Sequence, residues 1–131
     1  MSTEEQVLNS SRVVAVVGLS ANPDRPSYRV ASYLKEHGYK IIPVNPGATE
    51  VLGEVCYPDL ISIPEPIDVV DVFRRSEEVE SIAEEAIKIG AKALWMQEGV
   101  INEQAADRAR EAGLLVVMDR CMLKEHHKLN G

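Results

Sequence analysis

Short runs of apolar residues recur along the chain and predict the strands of a sheet. The first, at residues 13–17, contains only valine and alanine, which is typical of a strand buried on both faces of a parallel sheet. Four further runs lie at residues 41–44, 67–73, 93–96 and 114–118. We therefore predict a sheet of five mainly parallel strands.

The segments between these runs have the spacing of amphipathic helices. Residues 27–37 place three apolar side chains on one face, with Ser27 as the expected N-cap. Predicted helices end in Gly38, Gly90 and Gly113, each within three residues of the next strand. This alternation predicts a doubly wound α/β fold with helices on both faces of the sheet.

Right-handed crossovers favour the order 3-2-1-4-5 for the five strands. The connection at residues 45–66 contains four prolines and two glycines, so we expect it to be mostly irregular. Residues 3–10 have the spacing of a capping box and predict a short helix before the first strand. We expect a single domain over residues 1–131, with residues 1–11 as a leading helical segment.

Composition limits the function classes. The chain has 131 residues and a net charge of -7, which argues against nucleic acid or an anionic membrane as a partner for the surface as a whole. Its first residues are acidic and polar, unlike a secretory signal, and no run approaches the roughly 20 apolar residues of a membrane span. We expect a cytoplasmic protein with reduced Cys56 and Cys121, either a monomer or a weak homo-oligomer.

Ligands of doubly wound sheets bind beyond the carboxyl ends of the strands, so the residues that follow each strand form the candidate site. These residues are small, amide-bearing or basic, although the chain is acidic. They are Gly18, Leu19, Ser20 and Arg25 after the first strand, Asn45 and Pro46 after the second, Phe73, Arg74 and Arg75 after the third, Gln97, Glu98 and Gly99 after the fourth, and Asp119, Arg120 and Cys121 after the fifth. A glycine turn that leads into a helix N-terminus, together with arginines, predicts a phosphate site.

A nicotinamide dinucleotide does not fit this pattern. The loop after the first strand has no second glycine after Gly18, and Asn45 stands where an acid would hold the ribose hydroxyls. We therefore expect neither NAD nor NADP. We expect no metal either, because Cys121, His126 and His127 lack a defined zinc spacing.

Six motifs occur in the order that characterises a known family. They are Val-Val-Gly-Leu-Ser at 16–20, Arg-Pro-Ser-Tyr-Arg-Val-Ala at 25–31, Pro-Val-Asn-Pro at 43–46, Val-Val-Asp-Val-Phe-Arg at 69–74, Leu-Trp-Met-Gln-Glu-Gly at 94–99 and Asp-Arg-Cys at 119–121. From about Arg12 to His126 the chain resembles small stand-alone CoA-binding domain proteins. These proteins are similar to the N-terminal domain of the succinyl-CoA synthetase α subunit. The resemblance implies a Rossmann-like domain that binds coenzyme A or an acyl-CoA.

The resemblance also implies roles for individual residues. Phosphate contacts are implied for Gly18, Ser20, Arg25, Pro26 and Ser27. The neighbouring edge of the site is implied to contain Asn45 and Pro46. Residues implied to flank the adenosine portion are Val72, Phe73 and Arg74, and those implied to stand near the first loop are Gln97, Glu98 and Gly99.

The residues indicate binding rather than catalysis. The synthetase domain that carries the phosphorylated histidine has no counterpart in this sequence, and no nucleophile can be paired with a base. We expect a protein that binds coenzyme A or an acyl-CoA without catalytic activity of its own. Two alternatives stay open: an enzyme or enzyme subunit that acts on acyl-CoA with a partner, and a redox-linked carrier in which Cys121 forms a mixed disulfide with coenzyme A.

Overall fold

Five parallel strands form the central sheet of the computed structural model, which describes residues 1–130. The strands are β1 (Val13–Val17), β2 (Lys40–Val44), β5 (Val69–Val72), β6 (Ala93–Met96) and β7 (Leu115–Val117), with a separate hairpin of β3 (Glu50–Val51) and β4 (Glu54–Val55). The predicted fold class, a Rossmann-like α/β sheet, is confirmed. Alternate residues of each strand enter two separate cores, which explains the unbroken apolar runs.

Helices cover both faces of this sheet. The helices are α1 (Thr3–Ser10), α2 (Pro26–Glu36), α3 (Val79–Lys88), α4 (Glu103–Glu111) and α5 (Met122–Asn130). One core joins Val14 and Val16 of β1 to α1, α2 and α5. The other joins Ala15 and Val17 to α3 and α4. The chain therefore leaves β1 and β7 toward one face of the sheet, and β2, β5 and β6 toward the other.

The order of the strands differs from the predicted 3-2-1-4-5. The sheet runs β2-β1-β5-β6-β7, which is 2-1-3-4-5 when only its own strands are counted. The connection from β2 crosses one face of the sheet, where Leu60, Ile63 and Ile67 are buried, and brings β5 to the free side of β1. The prediction of the order was wrong because it placed the third strand beyond the second. The reversal of strand order consequently lies between β1 and β5.

Pro43 is compatible with the observed order. In this sheet β2 is an edge strand, and the Pro43 carbonyl accepts a hydrogen bond from Tyr57 N–H at 3.0 Å on the open side. The proline nitrogen faces that same side, since the N–H and C=O of a strand residue point in one direction. Its missing donor therefore removes no bond to β1.

The connection between β2 and β5 is more regular than expected. Residues 50–55 form the β3–β4 hairpin, and Leu52 and Gly53 at its turn have φ values of 55° and 74°. Two positive φ angles in a two-residue loop are typical of a type I′ turn. The prediction of an irregular connection missed this hairpin, because strands of two residues leave no alternation to detect.

Gly18 ends β1 in a conformation that only glycine adopts easily. Its φ is +88°, and a Cβ atom at this position would lie 2.4 Å from the Phe73 carbonyl oxygen and 2.9 Å from Arg74 Cδ. The residue is held from the other side as well, because its N–H donates to the Val44 carbonyl at 2.8 Å. The loop that follows β1 therefore starts in contact with the end of β5.

Replacing Gly18 by alanine tests this close approach. We expect Gly18→Ala to lower the free energy of unfolding by about 3 kcal/mol, because backbone strain and a backbone clash add together. Gly38→Ala is the matched control: its φ is +96° but no atom lies within 4 Å of the added Cβ, so strain alone should cost about 1 kcal/mol. Urea unfolding followed by Trp95 fluorescence measures both. Equal losses would contradict the close approach at Gly18.

Candidate functional site

A cavity of about 610 Å³ opens at the carboxyl edge of the sheet, between the ends of β1 and β5. Ten of the residues that line it were predicted from the sequence as site residues, namely Gly18, Ser20, Arg25, Pro26, Ser27, Phe73, Arg74, Arg75, Gln97 and Glu98. Cys121, which was predicted to follow the fifth strand, also lines the cavity, and the lining residues that were not predicted are Val30, Glu78 and Val100. A volume of this size is ordinary for the binding site of a small molecule or cofactor.

The first loop and the N-terminus of α2 form one wall of this cavity. Arg25 occupies the N-cap position and Pro26 follows at the start of the helix. The prediction of Ser27 as the cap was wrong, since its hydroxyl oxygen instead accepts the Ser20 N–H at 3.0 Å. This bond ties the loop to the helix. Within residues 1–130 no side chain caps the helix. Since its first residues line the cavity, the positive end of α2 borders the cavity.

Two arginines after β5 are held by one carboxylate. Arg74 Nη2 lies 2.8 Å from Glu78 Oε1, and Arg75 Nε lies 3.5 Å from Glu78 Oε2. The hydrogen bond from Arg74 holds the pKa of Glu78 below its usual range, with Arg75 contributing as well. Sequence reasoning missed Glu78, although its i,i+4 spacing from Arg74 was a usable signal.

Unlike Arg74 and Arg75, Arg25 is not paired with a carboxylate in the described part of the chain. Within residues 1–130 its guanidinium takes part in no ion pair and no hydrogen bond, and the residue is exposed at the N-terminus of α2. It is therefore the cation of the cavity that is most available to an anionic ligand.

Three of the predicted site residues do not line the cavity. Leu19 and Val72 are completely buried in the two cores, so their side chains do not line the cavity. Gly99 lies outside the lining, and its N–H donates to Asp119 Oδ1 at 2.8 Å. The strand-end rule selects positions along the chain and does not distinguish inward from outward side chains.

The two predicted residues after β2 lie beside the cavity rather than in it. The Asn45 side chain donates to the Leu19 carbonyl at 3.0 Å and accepts the Gly47 N–H at 2.8 Å. Asn45 thus fixes the loop after β1 to the loop after β2. Pro46 lines a second cavity of about 200 Å³.

The second cavity adjoins the first across the Arg74–Glu78 ion pair. Gly18, Arg74 and Glu78 line both. Most of the other walls of the second cavity are apolar or proline side chains, namely Val17, Val44, Pro46, Pro58, Leu60 and Ile82. The edge of the sheet therefore offers two adjacent compartments, a larger and a smaller one, with Gly18, Arg74 and Glu78 between them.

A buried carboxylic acid lies behind the wall of the larger cavity. Asp71 of β5 is fully buried, and its Oδ1 accepts a hydrogen bond from Gln97 Nε2 at 2.6 Å. Within residues 1–130 the other carboxyl oxygen, Oδ2, has no hydrogen-bond partner. Burial raises the pKa of Asp71 to about 7, against a lowering effect of the bond from Gln97.

Cys121 also lines the larger cavity. Its carbonyl accepts the Glu125 N–H at 3.0 Å, so the residue stands at the start of α5. Nearby, Lys124 pairs with Glu98 at 3.0 Å. The thiol is partly exposed, which is where the redox alternative requires it, and that alternative stays a prediction.

Comparison with known proteins adds family membership to this geometry. A family model described as a CoA binding domain matches residues 12–127. The chain belongs to this CoA binding domain family. The expectation from the sequence motifs is thereby confirmed. Within residues 1–130 no helix is long and apolar enough to cross a membrane, and no cluster of three or more histidine, cysteine or acidic side chains could hold a metal ion.

The relatives of this chain differ greatly in length. The uncharacterized protein YneT of Bacillus subtilis (strain 168) is 43% identical over 122 residues, which cover 93% of this chain and 90% of the relative. The acetate–CoA ligase [ADP-forming] II of Archaeoglobus fulgidus is 33% identical over 93 residues, 70% of this chain but only 14% of the ligase. The chain is thus similar to one part of a much longer enzyme.

Solved structures show the same architecture. A hypothetical protein from Pyrococcus horikoshii OT3 superposes with a TM-score of 0.96 and 42% identity, covering 100% of this chain and 94% of that chain. The five-stranded sheet with its covering helices is therefore shared within the family.

The buried Asp71 predicts a specific pH dependence of stability. Its pKa is raised from 3.8 to about 7 in the folded protein, so the folded state holds a proton that the unfolded state loses between those values. This group therefore destabilises the fold progressively as pH rises from about 4 to about 7, with no further change above that. Asp71→Asn should match the wild type at about pH 3, where Asp71 is protonated in both the folded and the unfolded state, and should exceed its stability by up to about 4 kcal/mol at pH 8.

Urea unfolding of both proteins across this pH range measures the difference. Subtracting the two curves removes the contributions of other groups, including Glu78 and Asp68, whose lowered pKa values act in the opposite direction. A difference that does not vary with pH would contradict the assignment of the raised pKa to Asp71.

Proposed function

We propose that this protein binds coenzyme A or an acyl-CoA in the cavity between the ends of β1 and β5, without catalysing a reaction of its own. The observation that carries the proposal is the concentration of cationic groups at that cavity. Arg25, Arg74 and Arg75 all line it, together with the positive end of α2, in a chain with a net charge of -7. Such a site favours a phosphorylated ligand.

The diphosphate of the ligand fits best at the N-terminus of α2. Gly18 and the Ser20–Ser27 hydrogen bond keep this loop close to the helix, and the Arg25 side chain is available to move onto a phosphate. Arg74 and Arg75 supply further positive charge, reduced by their pairing with Glu78. A bidentate contact from a guanidinium suits a phosphate group.

The two compartments suit the two unlike ends of coenzyme A. The smaller cavity has apolar walls at Leu60 and Ile82 and is separated from the larger one by Arg74 and Glu78. A planar adenine ring fits such a compartment, in agreement with the adenosine role that the family resemblance implies for Arg74. The remaining length of the ligand would follow the larger cavity toward Cys121.

The arrangement of hydroxyl groups supports binding without catalysis. The Ser27 hydroxyl oxygen accepts the Ser20 N–H, and the Ser20 hydroxyl oxygen accepts the Asn22 N–H at 3.0 Å. Neither serine of the cavity is hydrogen-bonded to a histidine or a carboxylate within residues 1–130, as an activated nucleophile would be. The cavity is therefore better suited to hold an acyl-CoA than to cleave it.

Ligand binding is tested first by thermal unfolding and then by calorimetry on the reduced protein. A ligand present at about 100 times its dissociation constant should stabilise the fold by roughly 2.7 kcal/mol. We expect coenzyme A and acetyl-CoA to raise the midpoint by several degrees and NAD to leave it unchanged. Absence of any shift with coenzyme A, for protein refolded free of copurified ligand, would contradict the proposal.

Arg25→Ala then tests where the ligand binds. We expect affinity for coenzyme A to fall about 10- to 100-fold, because a charge-assisted contact with phosphate is lost. Arg12→Ala is the matched control, since Arg12 is also exposed but precedes β1 at the opposite edge of the sheet. Equal affinities of the two variants would place the anion elsewhere.

A further inference from the structure

The larger cavity has a donor side and an acceptor side. Arg25, Arg74 and Arg75 present N–H donors along the ends of β1 and β5. At the end of β6 the lining residues are Gln97 and Glu98, whose side chains carry acceptor oxygens. Because Lys124 pairs with the Glu98 carboxylate at 3.0 Å, Gln97 is the acceptor of this side that is left for a ligand, and an amide oxygen suits an N–H group better than a phosphate oxygen.

The backbone N–H, the backbone carbonyl and the side-chain nitrogen of Gln97 are all hydrogen-bonded within the chain. Its backbone N–H donates to the Val72 carbonyl at 3.3 Å, and its carbonyl accepts the Val100 N–H at 2.9 Å. Its side-chain Nε2 donates to Asp71 at 2.6 Å. Within the described residues its Oε1 accepts no hydrogen bond, although Gln97 is only 3% exposed. Because this oxygen is not among the fully buried atoms that lack a partner, a group that enters the cavity can reach it and donate a hydrogen bond to it.

Asp71 determines which end of the Gln97 amide faces that partner. If the amide were rotated, Oε1 would stand against a carboxylate oxygen, and two acceptors would repel each other. Asp71 itself does not line the cavity, and it stands in register with Val16 and Trp95 in the centre of the sheet. A carboxyl group in this apolar position costs stability, and the bond to Gln97 is the one hydrogen bond that this carboxyl group makes within residues 1–130.

We infer that Asp71 is a positioning residue, which turns the Gln97 amide so that its Oε1 accepts a hydrogen bond from an amide N–H of the pantetheine chain of coenzyme A. This inference rests on the proposed function and extends it to the ligand's other half. The pantetheine chain carries two secondary amides and no phosphate, which matches the acceptor side of the cavity. Val30 and Val100 border the same cavity and suit the methylene groups of the chain.

The test compares two ligands on the full chain by calorimetry at about pH 8.5, where Asp71 is ionised. Coenzyme A carries the pantetheine chain, and adenosine 3′,5′-bisphosphate lacks it. We expect Gln97→Met to weaken coenzyme A about tenfold, the value of one hydrogen bond, and to leave the bisphosphate unchanged. Gln104→Met, the same substitution on the exposed surface of α4, should change neither.

Variants of Asp71 separate positioning from a structural role. Asp71→Val removes the acceptor while keeping a residue that suits a buried strand, and it should weaken coenzyme A by the same factor as Gln97→Met. Asp71→Asn keeps an oxygen that can accept from Gln97 Nε2, so its affinity should stay within about threefold of the wild type. The double variant Asp71→Val/Gln97→Met should lose no more than either single variant, because both act through one contact.

The outcomes distinguish this inference from the proposed function. If the wild type does not bind coenzyme A, the proposed function fails. If the wild type binds but Gln97→Met weakens both ligands equally, or neither, the inference is wrong and the function stands. Additive losses in the double variant would likewise overturn the positioning role of Asp71.

Discussion

The path of the chain between β2 and β5 is the constraint on which the candidate site depends. This connection crosses one face of the sheet and delivers β5 to the free side of β1. After β1 the chain enters α2 on one face, and after β5 it enters α3 on the other. The loops beyond the two strands therefore diverge, and a crevice opens between them. Gly18 keeps the crevice narrow at its base through its close approach to Phe73.

The strands and helices could be predicted because burial on both faces leaves a clear pattern in the sequence. The order of the strands could not, since residues 45–66 have no periodicity that reveals which way the chain crosses. Pro43 was the one available signal: a proline is tolerated best in an edge strand, and β2 is an edge strand only in the observed order. The β3–β4 hairpin left no signal of comparable strength, because each of its strands has two residues.

Much of the candidate site followed from the rule that ligands meet the carboxyl ends of parallel strands. What the rule could not supply was the direction and pairing of side chains. Leu19 and Val72 point into the cores, and Glu78 holds both arginines after β5. Asp71 was visible as an acid in the middle of an apolar strand, yet only the structure shows its bond to Gln97. An acid that lowers stability at this place is explained most simply by a role in the site.

Our central proposal is that a ligand with phosphate groups and amide N–H groups occupies the crevice between β1 and β5. Backbone amide NMR spectra recorded while coenzyme A is added to the reduced, isotope-labelled protein test it most directly. We predict large shifts of the backbone amide signals of Ser20, Ser27, Arg75 and Gln97, and none for Lys92 at the opposite edge of the sheet. Shifts confined to Lys92 and its surroundings, or no shifts at all, would contradict it.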